Sequence, residues 1–120
     1  MKAKPPIRIA LADDRKTVEL TYSPAEIFSL SAEFLRVHSP SAEVRGHGNQ
    51  NAVLQVGKRN VRINDISTTG NYAIKFTFDD GHDSGLYTWE YLHQLSHEKD
   101  ELWENYLNKL DASGKSRDPS

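Results

Sequence analysis

Cysteine is absent from the 120 residues. That excludes a disulfide scaffold, a thiol nucleophile, a Cys-ligated zinc or iron–sulfur centre and a redox dithiol. It also points to a reducing compartment, and so to a cytoplasmic protein. Long apolar runs are missing as well. Met1 to Pro6 lead into a short apolar stretch that Arg8 and Asp13 interrupt, so neither a signal peptide nor a spanning helix is expected, and no membrane partner. No Gly-x-x-x-x-Gly-Lys-Ser/Thr loop occurs, which removes a P-loop ATPase. No His-x-Asp pair occurs either, and the chain is too short for the double-stranded helix of a non-haem iron oxygenase.

What is present fits one domain. At 13.6 kDa the chain can bury about two-thirds of its unfolded surface and hold a core without staples. A hydrophobic share of 37%, a charged share of 27% and a mean hydropathy of -0.68 describe a soluble chain. The net charge of -2 conceals an asymmetry. Arg36, Arg45, Lys58, Arg59 and Arg62 against Glu43 make the middle basic, whereas nine acids between Asp79 and Asp111 oppose only Lys99 and Lys109. These basic residues are few, dispersed and without interleaved aromatics, so a nucleic-acid partner is not expected.

Alternation over Ile7–Leu11 and Val18–Tyr22, around the polar Asp13–Lys16, predicts a hairpin, and Ile27–Leu30 a third strand. Ser31 is a natural N-cap for a short helix from Ala32, with Leu30 and Leu35 as a hydrophobic staple and Pro40 setting its limit. After a loop over Gly46–Asn51, Val53–Val56 and Val61–Ile63 read as two adjacent strands around the Gly57–Asn60 turn. The clearest strand is Tyr72–Phe78, with Tyr72, Ile74, Phe76 and Phe78 on one core-facing side. Thr88 can cap a helix from Trp89, and an apolar stripe from Leu92 to Leu110 continues it, broken near Ser96–His97. The domain is expected to span 1–111, with 112–120 a disordered C-terminal tail. The fold class is α+β: a small, mostly antiparallel sheet domain with a short central helix and a helical C-terminus.

Each chemical constellation has a structural alternative. His93 and His97, four apart on a helix with Glu90 one turn earlier, can bind zinc; they equally suit a solvated helix face. Asp79, Asp80, His82 and Asp83 gather donors in one turn, enough for a cation or an acid–base pair if the turn lined a cleft. Asp and Gly are also what a strand-to-helix turn requires. Ser39, Ser41 and Ser84 could supply a nucleophile to a histidine, though spacing does not place them together. Trp89 and Trp103 could anchor an interface, but the apolar stripe puts them in the core.

Three ordered motifs resemble one family: Leu35 to Gly48, Gly70 to Ile74, and Phe78 to Leu92, which includes Phe78-Asp79-Asp80-Gly81-His82-Asp83-Ser84-Gly85. The resemblance, over about Ile7–Leu110, is to the gamma-butyrobetaine hydroxylase-like N-terminal domain family, a domain of unknown function, in its stand-alone bacterial type. In the hydroxylases this domain precedes an iron and 2-oxoglutarate dioxygenase domain and holds a structural zinc; elsewhere it is appended to iron–sulfur carrier ATPases. The resemblance lays the three zinc-ligand cysteines on Ser39, Ser41 and Val44, and the ligand histidine on His82. A serine hydroxyl is a poor zinc ligand and valine is none, so the site is degenerate and no metal or other cofactor is expected. Neither the dioxygenase domain nor an ATPase motif lies within these residues, so the expectation is no enzyme. It is a cytoplasmic accessory or protein-interaction domain, with an iron–sulfur carrier ATPase or an oxidoreductase as candidate partner. The alternative is a metal-binding or enzymatic domain centred on His82 and the neighbouring aspartates.

Overall fold

The computed structural model describes residues 4–41, 44 and 53–119. Two three-stranded antiparallel sheets carry the fold, each in sequential strand order. The first contains β1 (Arg8–Leu11), β2 (Thr17–Ser23) and β3 (Glu26–Ser31); the second contains β4 (Ile63–Thr69), β5 (Ala73–Phe78) and β6 (Leu86–Thr88). Helix α1 (Ala32–Val37) follows the first sheet, and α2 (Trp89–His97) and α3 (Lys99–Ser113) follow the second. The class is α+β, as the sequence pattern requires.

Local chemistry sets most element ends. In the β1–β2 turn the backbone N–H of Lys16 donates to Asp14 Oδ1, and Arg15 takes a positive φ of 62°. That turn also joins the two sheets: the Ile63 N–H donates to the Arg15 carbonyl at 2.8 Å, and Arg15 Nη1 donates to Asn64 O at 3.2 Å. Ser31 caps α1 by accepting from Phe34 N at 2.9 Å, and Thr88 caps α2 by accepting from Tyr91 N at 3.1 Å. Such caps satisfy N–H groups that have no partner in the first helical turn. The helix break falls at Glu98, between α2 and α3.

Val18, Leu20 and Leu30 from the first sheet meet Ile63, Ile74, Phe76 and Phe78 from the second, closed by Phe34 and Leu35 of α1 and Leu92 and Leu95 of α2. Trp89 is buried in this core and the half-buried Trp103 packs against the cluster, as the apolar stripe demands. A smaller cluster of Val37, Tyr106 and Leu110, with Leu54 and Trp103 at its edge, seats α3 beside α1.

Four expectations differ. Val53–Val56 is not a strand. Val53 and Val56 are exposed, and the Gln55 carbonyl accepts from Tyr106 Oη instead of a ladder partner. The adjacent strand starts at Ile63 and continues through polar residues to Thr69, half-hidden by its pairing with β5. Tyr72 is 53% exposed, because it lies in the turn before β5 rather than on the strand's core face. Residues 112–119 are not a free tail. Helix α3 ends on Gly114 at φ 64°, and the chain then returns so that Gly57 N donates to Ser116 O and Arg59 N to Arg117 O. Arg117 anchors it with two bonds to Glu33, at 2.8 and 2.7 Å. The loop over Gly46–Asn51 lies outside the described residues.

Candidate functional site

Pro40 ends α1 and sends Ser39 and Ser41 inward, while β5 delivers the Asp79–Gly85 turn to the same place. Ser39 Oγ lies 2.8 Å from His82 Nε2, Ser41 Oγ lies 3.3 Å from it, and the two hydroxyls are 3.3 Å apart. All three residues are buried. Val44 is buried also, its N–H donating to the Ser41 carbonyl at 3.1 Å. Ser39, Ser41 and His82, drawn from two separate motifs, therefore meet, with Val44 bonded to Ser41 through the backbone.

The turn is tightly specified. Phe78 N donates to His82 O at 3.0 Å, and Gly81 takes a φ of 89° that a side chain would resist. Gly85 is needed for a different reason: a Cβ there would stand 2.4 Å from Ser39 Oγ and 3.0 Å from Pro40 Cδ. Two tyrosines that the sequence reading did not single out hold the facing segment, Tyr87 Oη donating to Leu35 O and Tyr91 Oη to His38 O. Nothing in their spacing announces this, because the acceptors are main-chain carbonyls.

The aspartates separate by role. Asp79 Oδ1 accepts from Arg62 N at 3.0 Å, which fixes the end of β5. Asp80 accepts from Arg36 Nε at 2.9 Å, Lys58 Nζ at 2.6 Å and, through Oδ1, His82 N at 3.2 Å. Burial pushes its carboxyl upward, but the Lys58, His82 N–H and Arg36 contacts outweigh that and hold it below the usual carboxylate range. Asp83 and Ser84 are exposed. Asp80 thus joins the basic middle of the chain to the His82 turn, and Asp79 and Asp80 are both engaged in structure.

Beside Ser39 opens a cleft of about 400 Å³, lined by Val44, Leu54, Tyr91, Tyr106 and Lys109 among others. His38 borders it too, with Nδ1 2.8 Å from Phe34 O. Elsewhere, His93 and His97 do face one another, with Nε2 atoms 3.0 Å apart, but the carboxylate that joins them is Glu26 rather than Glu90. Among the described residues no helix is long and apolar enough to cross a membrane.

No protein with curated annotation matches the chain. Two structures solved by NMR in solution are similar to it over nearly its whole length. One is 53% identical, covering 99% of this chain and 94% of its own at a TM-score of 0.87. The other is 47% identical, covering 98% and 88% at 0.81. A crystal structure of a protein of unknown function from Acidithiobacillus ferrooxidans is 30% identical, covering 76% of this chain and 91% of its own at 0.62. The family model "Gamma-butyrobetaine hydroxylase-like, N-terminal" matches residues 9–93, which hold all but the first residue of the two sheets, α1 and the Ser39–His82 centre. The chain belongs to the gamma-butyrobetaine hydroxylase-like N-terminal domain family.

Proposed function

We propose that the protein is a non-catalytic, cytoplasmic accessory domain that acts by binding another protein, with an iron–sulfur carrier ATPase or an oxidoreductase as its partner. The observation that carries this reading is the state of its most chemically capable cluster. Ser39 and His82 are 1% and 6% exposed, and Ser39 Oγ, Ser41 Oγ and His82 Nε2 are within hydrogen-bond distance of one another. Ser39, Ser41, Val44 and His82 stand where relatives of the hydroxylase type hold zinc, and here hydroxyls and a buried valine replace thiolates. That supports a degenerate zinc site in which a hydrogen bond does the joining that a metal would do.

One observation favours a second reading. Ser39 borders the cleft and sits at nucleophile-to-base distance from His82, the geometry of an acyl-transfer pair. Two measurements separate the readings. Direct titration against a purified iron–sulfur carrier ATPase should give saturable binding, and a fluorophosphonate probe should leave Ser39 unlabelled. Labelling that disappears in Ser39→Ala, or an equivalent of metal that leaves with His82→Ala, would replace the accessory reading by the enzymatic or metal-binding one.

A further inference from the structure

Glu26 opens β3, directly after the Ser23–Pro24 turn and the irregularity between Thr21 and Ser23. Helix α2 packs against β3, and this brings Glu26 to two histidines that stand one helical turn apart. His93 Nε2 and His97 Nε2 are 3.0 Å apart, and Glu26 Oε2 is 3.6 Å from His97 Nε2. One ligand atom from each of the three residues lies within 4.8 Å of the others. Ligands bound tetrahedrally at about 2.0–2.2 Å from zinc stand about 3.3–3.6 Å apart; the Glu26–His97 separation matches this, and the two imidazole nitrogens need to part by only a few tenths of an ångström.

The imidazoles are held from outside the helix. Tyr22 meets His93 edge-on with ring centroids 5.2 Å apart, and Phe28 meets His97 at 4.9 Å. Both aromatics come from the first sheet, like Glu26, so sheet and helix each supply part of the frame. Two neutral imidazoles and one carboxylate are the donors that borderline divalent ions prefer, whereas calcium and magnesium take oxygen donors. The Glu26 and His97 side chains are each 46% exposed, so a fourth position stays open to water and the ion can exchange.

We propose that Glu26, His93 and His97 form a surface site for an exchangeable first-row divalent cation of the zinc type. This site is separate from the Ser39–His82 centre and stands whether or not that centre has the role given above. The rival arrangement is a single proton shared between the two imidazoles, which needs no carboxylate.

Calorimetric titration of the full chain with zinc chloride in a non-chelating buffer tests it. One equivalent should bind, and His93→Ala, His97→Ala and Glu26→Gln should each weaken binding by about tenfold or more, since even outer-shell partners of a metal are worth that much. Glu90→Gln, on the same helix but outside the donor set, should bind as the parent does. In a parallel NMR titration the imidazole nitrogens of His93 and His97 should shift while those of His82 stay in place. Melting without metal verifies that each variant is folded, and His93→Gln replaces His93→Ala if the smaller side chain loosens α2. No saturable binding, binding that survives His93→Ala and Glu26→Gln, or binding lost with His82→Ala would each overturn the proposal.

Discussion

A serine hydroxyl keeps its proton at neutral pH, so Ser39 and Ser41 hydrogen-bond to His82 where thiolates would share a metal with it. If these are the ligand places, the triple change Ser39→Cys, Ser41→Cys, Val44→Cys should create a Cys3His zinc site. Zinc would then raise stability by about 2.7 kcal/mol at a free concentration a hundredfold above its dissociation constant. Cobalt in that variant should show a tetrahedral thiolate spectrum that changes when His82→Ala is added; an unaltered spectrum would refute the histidine's placement. His38 carries a prediction of its own. Burial pushes its pKa below the usual 6.5, more than its bond to the Phe34 carbonyl restores, and Lys109 adds to the depression. The unfolded chain therefore takes up this proton at a higher pH than the folded chain. Stability from neutral His38 is complete above that usual value and is lost as pH falls from it toward the lower folded value. The urea midpoint should decline between about pH 7 and pH 5, and His38→Gln should flatten that decline. Parallel pH curves for parent and variant would show that His38 is not its source.

The Asp79–Gly85 turn and the end of α1 dock as two surfaces with no room between them. Gly85→Ala puts a methyl group against Ser39 Oγ and the Pro40 ring, and rotating Ser39 Oγ aside would break its bond to His82. Overpacking of this kind costs about 1–3 kcal/mol, and the His82 ring resonances should shift with it. A silent Gly85→Ala would mean the two segments are loosely joined. On β5, Phe76 is 1% exposed between Phe78 and Tyr87, so Phe76→Ala should cost about 3–5 kcal/mol in denaturant unfolding. The hairpin, both N-caps, the α2–α3 break and the buried side of β5 were legible because each is written in neighbouring residues. The failures follow from the same logic. Val53–Val56 has a strand's composition, but Tyr106 takes its carbonyl, and β4 runs through Asn64, Asp65, Ser67 and Thr68, whose polarity hides a strand that pairing with β5 creates. Ser39 and His82 were placed together by alignment of motifs, whereas Glu26 beside His93 and His97 has no local signature, since packing of α2 on β3 alone makes it.

The return of the chain after Gly114 links the far end of the molecule to α1, and composition could not show it. Ala112 to Ser120 offer almost nothing apolar to bury; the partner that composition does not reveal is Glu33, which an amphipathic reading leaves on a solvated face. Glu33 is only 5% exposed, and the Arg117 guanidinium both pairs with its two oxygens and lies 5.0 Å over the Trp103 ring. One side chain thus ties α1, α3 and the C-terminal segment, while Arg59 and Asp118 pair alongside. Removing Arg117 leaves a buried carboxylate without its counter-charge, which is more costly than losing an exposed ion pair. Arg117→Ala should lower stability by about 2 kcal/mol, the scale of a charged hydrogen-bonded contact, with the urea slope unchanged. Truncation after Gly114 should cost at least as much. Glu33→Gln in the Arg117→Ala background should recover part of the loss, because the amide needs no counter-charge. Were the segment free in solution, Arg117→Ala and the truncation would leave the midpoint where it was, and the double variant would show no coupling.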